Sequence, residues 1–152
     1  MSTLQKFRLL FTYDRVTLFT FTEALLLLGW ARFLLLFKFA TIAPYLGTKS
    51  SETVEVCRDE DIRPIKHIIR AIHVVGGHTP WESTCLIRAI AGMKMLERRR
   101  INSTLYLGTS KDENGSMIAH AWLRSGPYYI SGADVMKRFV VVEKFAKEVR
   151  TD

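Results

Sequence analysis

Apolar positions change their spacing near residue 101, and the change divides the chain into a helical part and a stranded part. After Asp14, a residue suited to capping, the apolar run through Leu25-Leu26-Leu27-Leu28 predicts a long helix, and its segment ends near Pro44-Tyr45-Leu46-Gly47. Apolar residues surround more of this helix than a single packing face needs, so part of it should meet something else: the rest of this chain first, or else a partner protein or membrane lipid. From Gly47 to Asp61 the chain turns polar and reads as a linker. Ile62, Ile65, Ile69, Ile72 and Val75 then recur at three- and four-residue steps, and Gly76-Gly77 stops this second helix. Thr79-Pro80-Trp81-Glu82 has the form of a third helix start, continued by Leu86, Ile90, Met93 and Leu96 and closed by Arg98-Arg99-Arg100.

Beyond Ile101 the period alternates. Leu105, Leu107 and Thr109 fit one strand, Lys111 to Ser116 a turn around Asn114-Gly115, and Met117 to Leu123 the returning strand. Gly126-Pro127 turns the chain again into Tyr128-Tyr129-Ile130, and Phe139 to Val142 predicts a fourth strand. Helices followed by an antiparallel sheet give an α+β fold. The expected organisation is a hydrophobic helical region over 1–47, a linker over 48–61 and the main domain over 62–152.

Composition narrows the function classes. A chain of 152 residues carries one domain with, at most, a helical extension. Its +7 charge favours acidic partners without choosing among them. Cys57 and Cys85 are too few for a disulfide scaffold, which points to a reducing, cytoplasmic setting. The apolar run from Val16 to Ala40 is interrupted by Glu23, Arg32 and Lys38, and a central charge costs about 2.5–3.5 kcal/mol on insertion. It therefore reads as a buried or interface-seeking helix, with no membrane span. His73, His78 and Cys57 lack metal-ligand spacing, so no metal is expected. No Gly-rich phosphate loop is present, and the basic residues lack the aromatic platform of a nucleic-acid module. Neither a cofactor nor nucleic acid is expected.

Two residues carry candidate chemistry. Cys85 falls in the first turns of the third helix, where unpaired N–H groups stabilise a thiolate and then an oxyanion. His120 sits mid-strand between Ala119 and Ala121, with room around its ring. An imidazole on a sheet meeting a cysteine at a helix start is the arrangement of a cysteine hydrolase or acyltransferase. Each residue also has a plain reading, as a small core cysteine and a structural histidine.

The flanking residues add to this. Pro80-Trp-Glu-Ser-Thr-Cys-Leu-Ile-Arg-Ala89, Leu96-Glu-Arg-Arg-Arg-Ile101, Leu105-Tyr-Leu-Gly108 and Ala119-His-Ala-Trp-Leu-Arg124 together resemble the lasso peptide leader peptidases, transglutaminase-like cysteine proteases of bacteria. The likeness extends to Glu23 through Leu28, Ala31-Arg32, Leu46-Gly47 and Phe139 through Phe145, nearly the whole chain. It implies that Cys85 is the nucleophile and His120 the base, with Trp81 and Trp122 as pocket walls that serve equally as core packing. It also implies partners: a precursor peptide, a separate recognition protein holding its leader, and an ATP-dependent cyclase that closes the ring. The family's third member, an Asp, falls by register at Gly132. Asp134, one strand pair further on, is the substitute candidate, brought back by a bulge. The alternative is a Cys–His dyad whose imidazole is oriented by a backbone carbonyl. Beside the peptidase stand two rivals of the same fold, an acyltransferase and a non-catalytic scaffold. Arg98-Arg99-Arg100 reads as a solvated helix end or, less simply, a contact for an acidic leader.

Overall fold

Arg15–Leu34 form the first helix, α1, in the computed structural model, which describes residues 12–150. α1 stops earlier than the apolar run does. The chain breaks at Leu35–Lys38 and re-forms a short α2 at Phe39–Ile42 and a 3-10 turn at Ala43–Leu46. That break lets Ile42 and Leu46 fold back into the core, where both are buried.

Thr48–Lys49 form a two-residue strand, β1, and Asp59–Gly76 form α3. α3 opens three residues ahead of its apolar repeat because Asp59, Glu60 and Asp61 suit the positive end of the helix dipole. Cys85–Arg98 form α4. The strands are β2 (Ser103–Lys111), β3 (Met117–Ser125), β4 (Tyr128–Ser131) and β5 (Val140–Lys147). All pairings are antiparallel, in the order β1-β5-β2-β3-β4. β1 binds the far edge through Thr48 opposite Ala146, so the segment expected as a linker contributes to the sheet.

One face of the sheet carries the helices. Leu105, Ala121, Leu123, Ile130 and Phe145 share a core with Ile65, Ile68 and Ile72 of α3, Ile87, Ile90 and Leu96 of α4, and Ala24, Leu28 and Ala31 of α1. Burying each large aliphatic side chain contributes roughly 1.5–3 kcal/mol. α4 crosses the sheet at Gly92, where an added Cβ would lie 3.0 Å from Leu123 and 3.2 Å from Ile130. α1 is tied to the end of α4 by Glu23, whose carboxylate accepts from Arg99 at 2.6 and 3.0 Å and from Arg98 at 2.9 Å.

The opposite face carries an aromatic and polar cluster. Tyr106 and Trp122 stack there with centroids 5.5 Å apart and planes 11° from parallel. Arg124 donates to the Tyr106 hydroxyl, to Gly126 O and to Thr53 O, so the segment before α3 covers this face. Thr53 and Thr104 bond side chain to side chain at 2.8 Å.

Candidate functional site

Cys85 is the first residue of α4, not a residue of its second turn. The reason lies in the loop before it. Thr79, expected as the cap, turns its hydroxyl to Trp81 O and to the Ser83 hydroxyl, both at 2.8 Å. Thr84 takes the capping role, accepting from the Ile87 N–H at 3.5 Å. Arg88 holds the loop from inside, donating from Nε to Ser83 O (3.0 Å) and from Nη2 to Gly76 O (3.1 Å). Arg32 reaches Glu82 O from α1, and the Trp81 ring packs over Gly29. The backbone N–H groups of Cys85 and Leu86, at the start of α4, have no intrahelical acceptor, and groups of this kind can stabilise an oxyanion.

His120 lies on β3 opposite Gly108 of β2. Its ring stacks on Phe139 at 4.9 Å and on Trp122 at 5.9 Å, and Nε2 is 2.7 Å from the carbonyl oxygen of Gly132. A carbonyl only accepts, so Nε2 carries the proton and Nδ1 presents its lone pair. In the neutral ring this leaves Nδ1 as the nitrogen able to accept a proton. Gly132 fits here because its φ is +77° and an added Cβ would lie 2.5 Å from Ala121 O and 3.1 Å from His120 Nε2. Gly108 serves the same cradle: a Cβ there would meet the Trp122 ring and Phe139 below 3.0 Å.

Asp134 does not hold the orienting place given to it as the substitute for the family acid. It is exposed, and the ring nitrogen it would have to meet is bonded to Gly132 O. Trp122 is 4% exposed and acts as a wall for the His120 ring. Trp81 is half-buried against α1, its indole N–H without a hydrogen-bond partner.

The path from Cys85 to His120 runs along α4 and past the turn at Gly132. From its crossing at Gly92, α4 leads back through Arg88, which shares a cavity of about 360 Å³ with Gly132 and Asp134. Alternation along β3 nevertheless gives His120 the Trp122 side and gives Ala121 and Leu123 the side on which α4 packs. Among the described residues no hydrogen bond joins Cys85 to His120. A second cavity, of about 430 Å³, lies between α1, α2 and α4 and is lined by Trp30, Phe37, Tyr45 and Met93, with neither Cys85 nor His120 in its wall.

Other residues resolve into structure. Arg98 and Arg99 are occupied by Glu23, which absorbs most of the basic run. Burial pushes the Cys57 thiol up, and Asp61 and Asp59 push it further, so it is a poor source of thiolate. Among the described residues no three His, Cys, Asp or Glu side chains gather as a metal site. Sequence reasoning missed Phe139 and Gly108 as parts of the His120 cradle. A lone glycine inside an alternating strand was the signal available for Gly108.

Comparison with known families matches residues 24–144, from the middle of α1 into β5, to the transglutaminase-like superfamily. The chain belongs to that superfamily. Its members include cysteine proteases and acyltransferases, and this α+β arrangement of helices on an antiparallel sheet is the chain's version of the domain. No curated protein and no solved structure matches the chain. The superfamily match crosses both expected boundaries, at 47/48 and 61/62, consistent with α1 sharing its core with α3, α4 and the sheet.

Proposed function

We propose that this transglutaminase-like chain is a cysteine peptidase that removes the leader from a ribosomally made lasso peptide precursor. In this reading it acts in the cytoplasm with a separate leader-recognition protein, ahead of an ATP-dependent cyclase. The observation that carries it is the 2.7 Å bond from His120 Nε2 to Gly132 O, which leaves Nδ1 as a base. The residues around Cys85 and His120 that resemble the leader peptidases support the narrower substrate class.

The chemistry runs through a thioester. Nδ1 of His120 takes the Cys85 thiol proton, and Sγ attacks the scissile carbonyl carbon. The oxyanion is met by the Cys85 and Leu86 N–H groups at the end of α4. Collapse breaks the C–N bond, and the imidazolium returns its proton to the leaving amine. Water, deprotonated by the same nitrogen, then hydrolyses the thioester. The Gly132 carbonyl replaces the family's carboxylate in orientation but brings no full negative charge to the imidazolium. In this proposal Cys85 and His120 must meet at the end of α4, which asks for a larger rearrangement than the tightening of a hydrogen bond, since the His120 ring lies on the Trp122 side of the sheet.

The second reading, a non-catalytic scaffold, is favoured by one specific observation, the placement of His120 on the Trp122 side with no bond to Cys85. Mass spectrometry of a precursor, incubated with its recognition protein and this chain, separates the readings. Release of an intact leader by wild type, and none by Cys85→Ala, is the peptidase result. A product heavier by an added amine is the acyltransferase result. An uncut precursor that the recognition protein demonstrably binds is the scaffold result.

A further inference from the structure

α1 is half inside the fold and half outside it. Ala24, Leu28 and Ala31 are completely buried, while Phe19 (62% exposed), Leu26 (68%) and Phe33 (57%) form a stripe on the other side. Leu36 (78%) and Phe37 (51%) continue it past the end of the helix. The polar side chain on this stripe, Thr22, spends its hydroxyl on Leu18 O at 2.9 Å. The stripe therefore offers a partner little hydrogen bonding, only the acceptor side of the Thr22 hydroxyl, whereas protein interfaces carry about one hydrogen bond per 100–200 Å².

The charges around it have one predominant sign. Arg15, Arg32 and Lys38 are exposed along α1 and the turn after it, against the exposed acids Asp14 and Glu82, the second brought beside α1 by the bond from Arg32 to its carbonyl. Glu23, a third acid, is buried and neutralised by Arg98 and Arg99. An apolar, aromatic-rich helix face edged by Arg and Lys is the pattern of a helix that lies in a membrane interface.

We propose that the outer face of α1 rests flat on an anionic lipid surface, its Phe and Leu side chains at the headgroup–acyl boundary and its cations among the headgroups. α1 is long and apolar enough to cross a bilayer by length and composition. Crossing would tear Ala24, Leu28 and Ala31 from the core and strip Glu23 of its arginines, so the helix lies along the surface. The inference is independent of the chemistry at Cys85.

The test is co-sedimentation of the full chain with vesicles of phosphatidylcholine alone or with one part phosphatidylglycerol to three of phosphatidylcholine. Binding to the anionic vesicles at least tenfold tighter than to the neutral ones, and weakening with added salt, is expected. Leu26→Asp and Phe33→Asp should each lower that binding at least tenfold. Val142→Asp, on an exposed valine of β5, should leave it unchanged, and thermal melts should find all three variants folded. Equal binding to both vesicles, binding indifferent to Leu26→Asp, or a chain that stays in the supernatant overturns the proposal. So does a salt-insensitive dimer dissolved by Leu26→Asp, which would assign the stripe to a second copy.

Discussion

A carboxylate at position 132 would need a Cβ for which the backbone has no room, since φ is +77° and the Ala121 carbonyl oxygen would be 2.5 Å away. Gly132→Asp is therefore expected to cost about 2 kcal/mol or more, and to lower peptidase activity although it writes in the acid found in the resembled family. Thermal melts and precursor cleavage check both parts. Asp134→Ala should leave cleavage within about twofold of wild type, because no hydrogen bond ties that exposed side chain to the ring. The sequence allowed a backbone carbonyl as an orienting group without indicating which one. A bond from a main-chain oxygen twelve residues away depends on a turn conformation, and no side chain records it.

α4 is the element on which the site depends, and its packing is tight enough to reverse an ordinary propensity. Alanine favours a helix over glycine by about 1 kcal/mol. At Gly92, however, an added Cβ would press at 3.0 Å on Leu123 and 3.2 Å on Ile130, both deep in the core. Overpacking of this kind costs roughly 1–3 kcal/mol, so Gly92→Ala should destabilise by about 1 kcal/mol in denaturant unfolding. Much of this element was legible beforehand: the apolar repeat Leu86, Ile90, Met93, Leu96 runs through it. Its start was not, because Thr79, Pro80 and Glu82 satisfy the helix-start pattern while Arg88, Arg32 and Trp81 hold that stretch as a loop. Strands β2 to β4 matched their alternation closely, Gly115 adopting the positive φ its turn requires. β5 ran on to Lys147, since Phe145 and Ala146 are buried behind a polar-looking Glu143-Lys144.

Across the whole molecule, tertiary charge pairs link elements distant in sequence. Burial alone would raise the Glu97 carboxyl, but the hydrogen bond and charge of Lys94 and the charge of Lys147 on β5 outweigh it and hold the group below its usual range. A carboxyl depressed by folding stabilises the fold above its unfolded value, about 4.3, and that contribution is lost as pH falls through the lower folded value. Glu97→Gln should therefore lower stability at neutral pH and flatten the acid limb of the stability profile below about pH 4.3, as followed by urea titration. The relation of the two sheet faces is also a property of the assembled molecule. Period-two alternation predicts that His120 and Trp122 share a face, but nothing in the sequence says that α4 packs on the other one.

The central claim is that Cys85 and His120 act on one another. Its most direct measurement is the rate of alkylation by iodoacetamide at each cysteine, read by mass spectrometry of the tryptic peptides, in wild type and in His120→Ala. Cys85 is expected to react at least tenfold faster than Cys57, whose thiol is pushed up by burial and by Asp61 and Asp59, and to lose most of that advantage in His120→Ala. Equal rates at the two cysteines, or a Cys85 rate indifferent to His120→Ala, would contradict the pairing and leave the chain a scaffold.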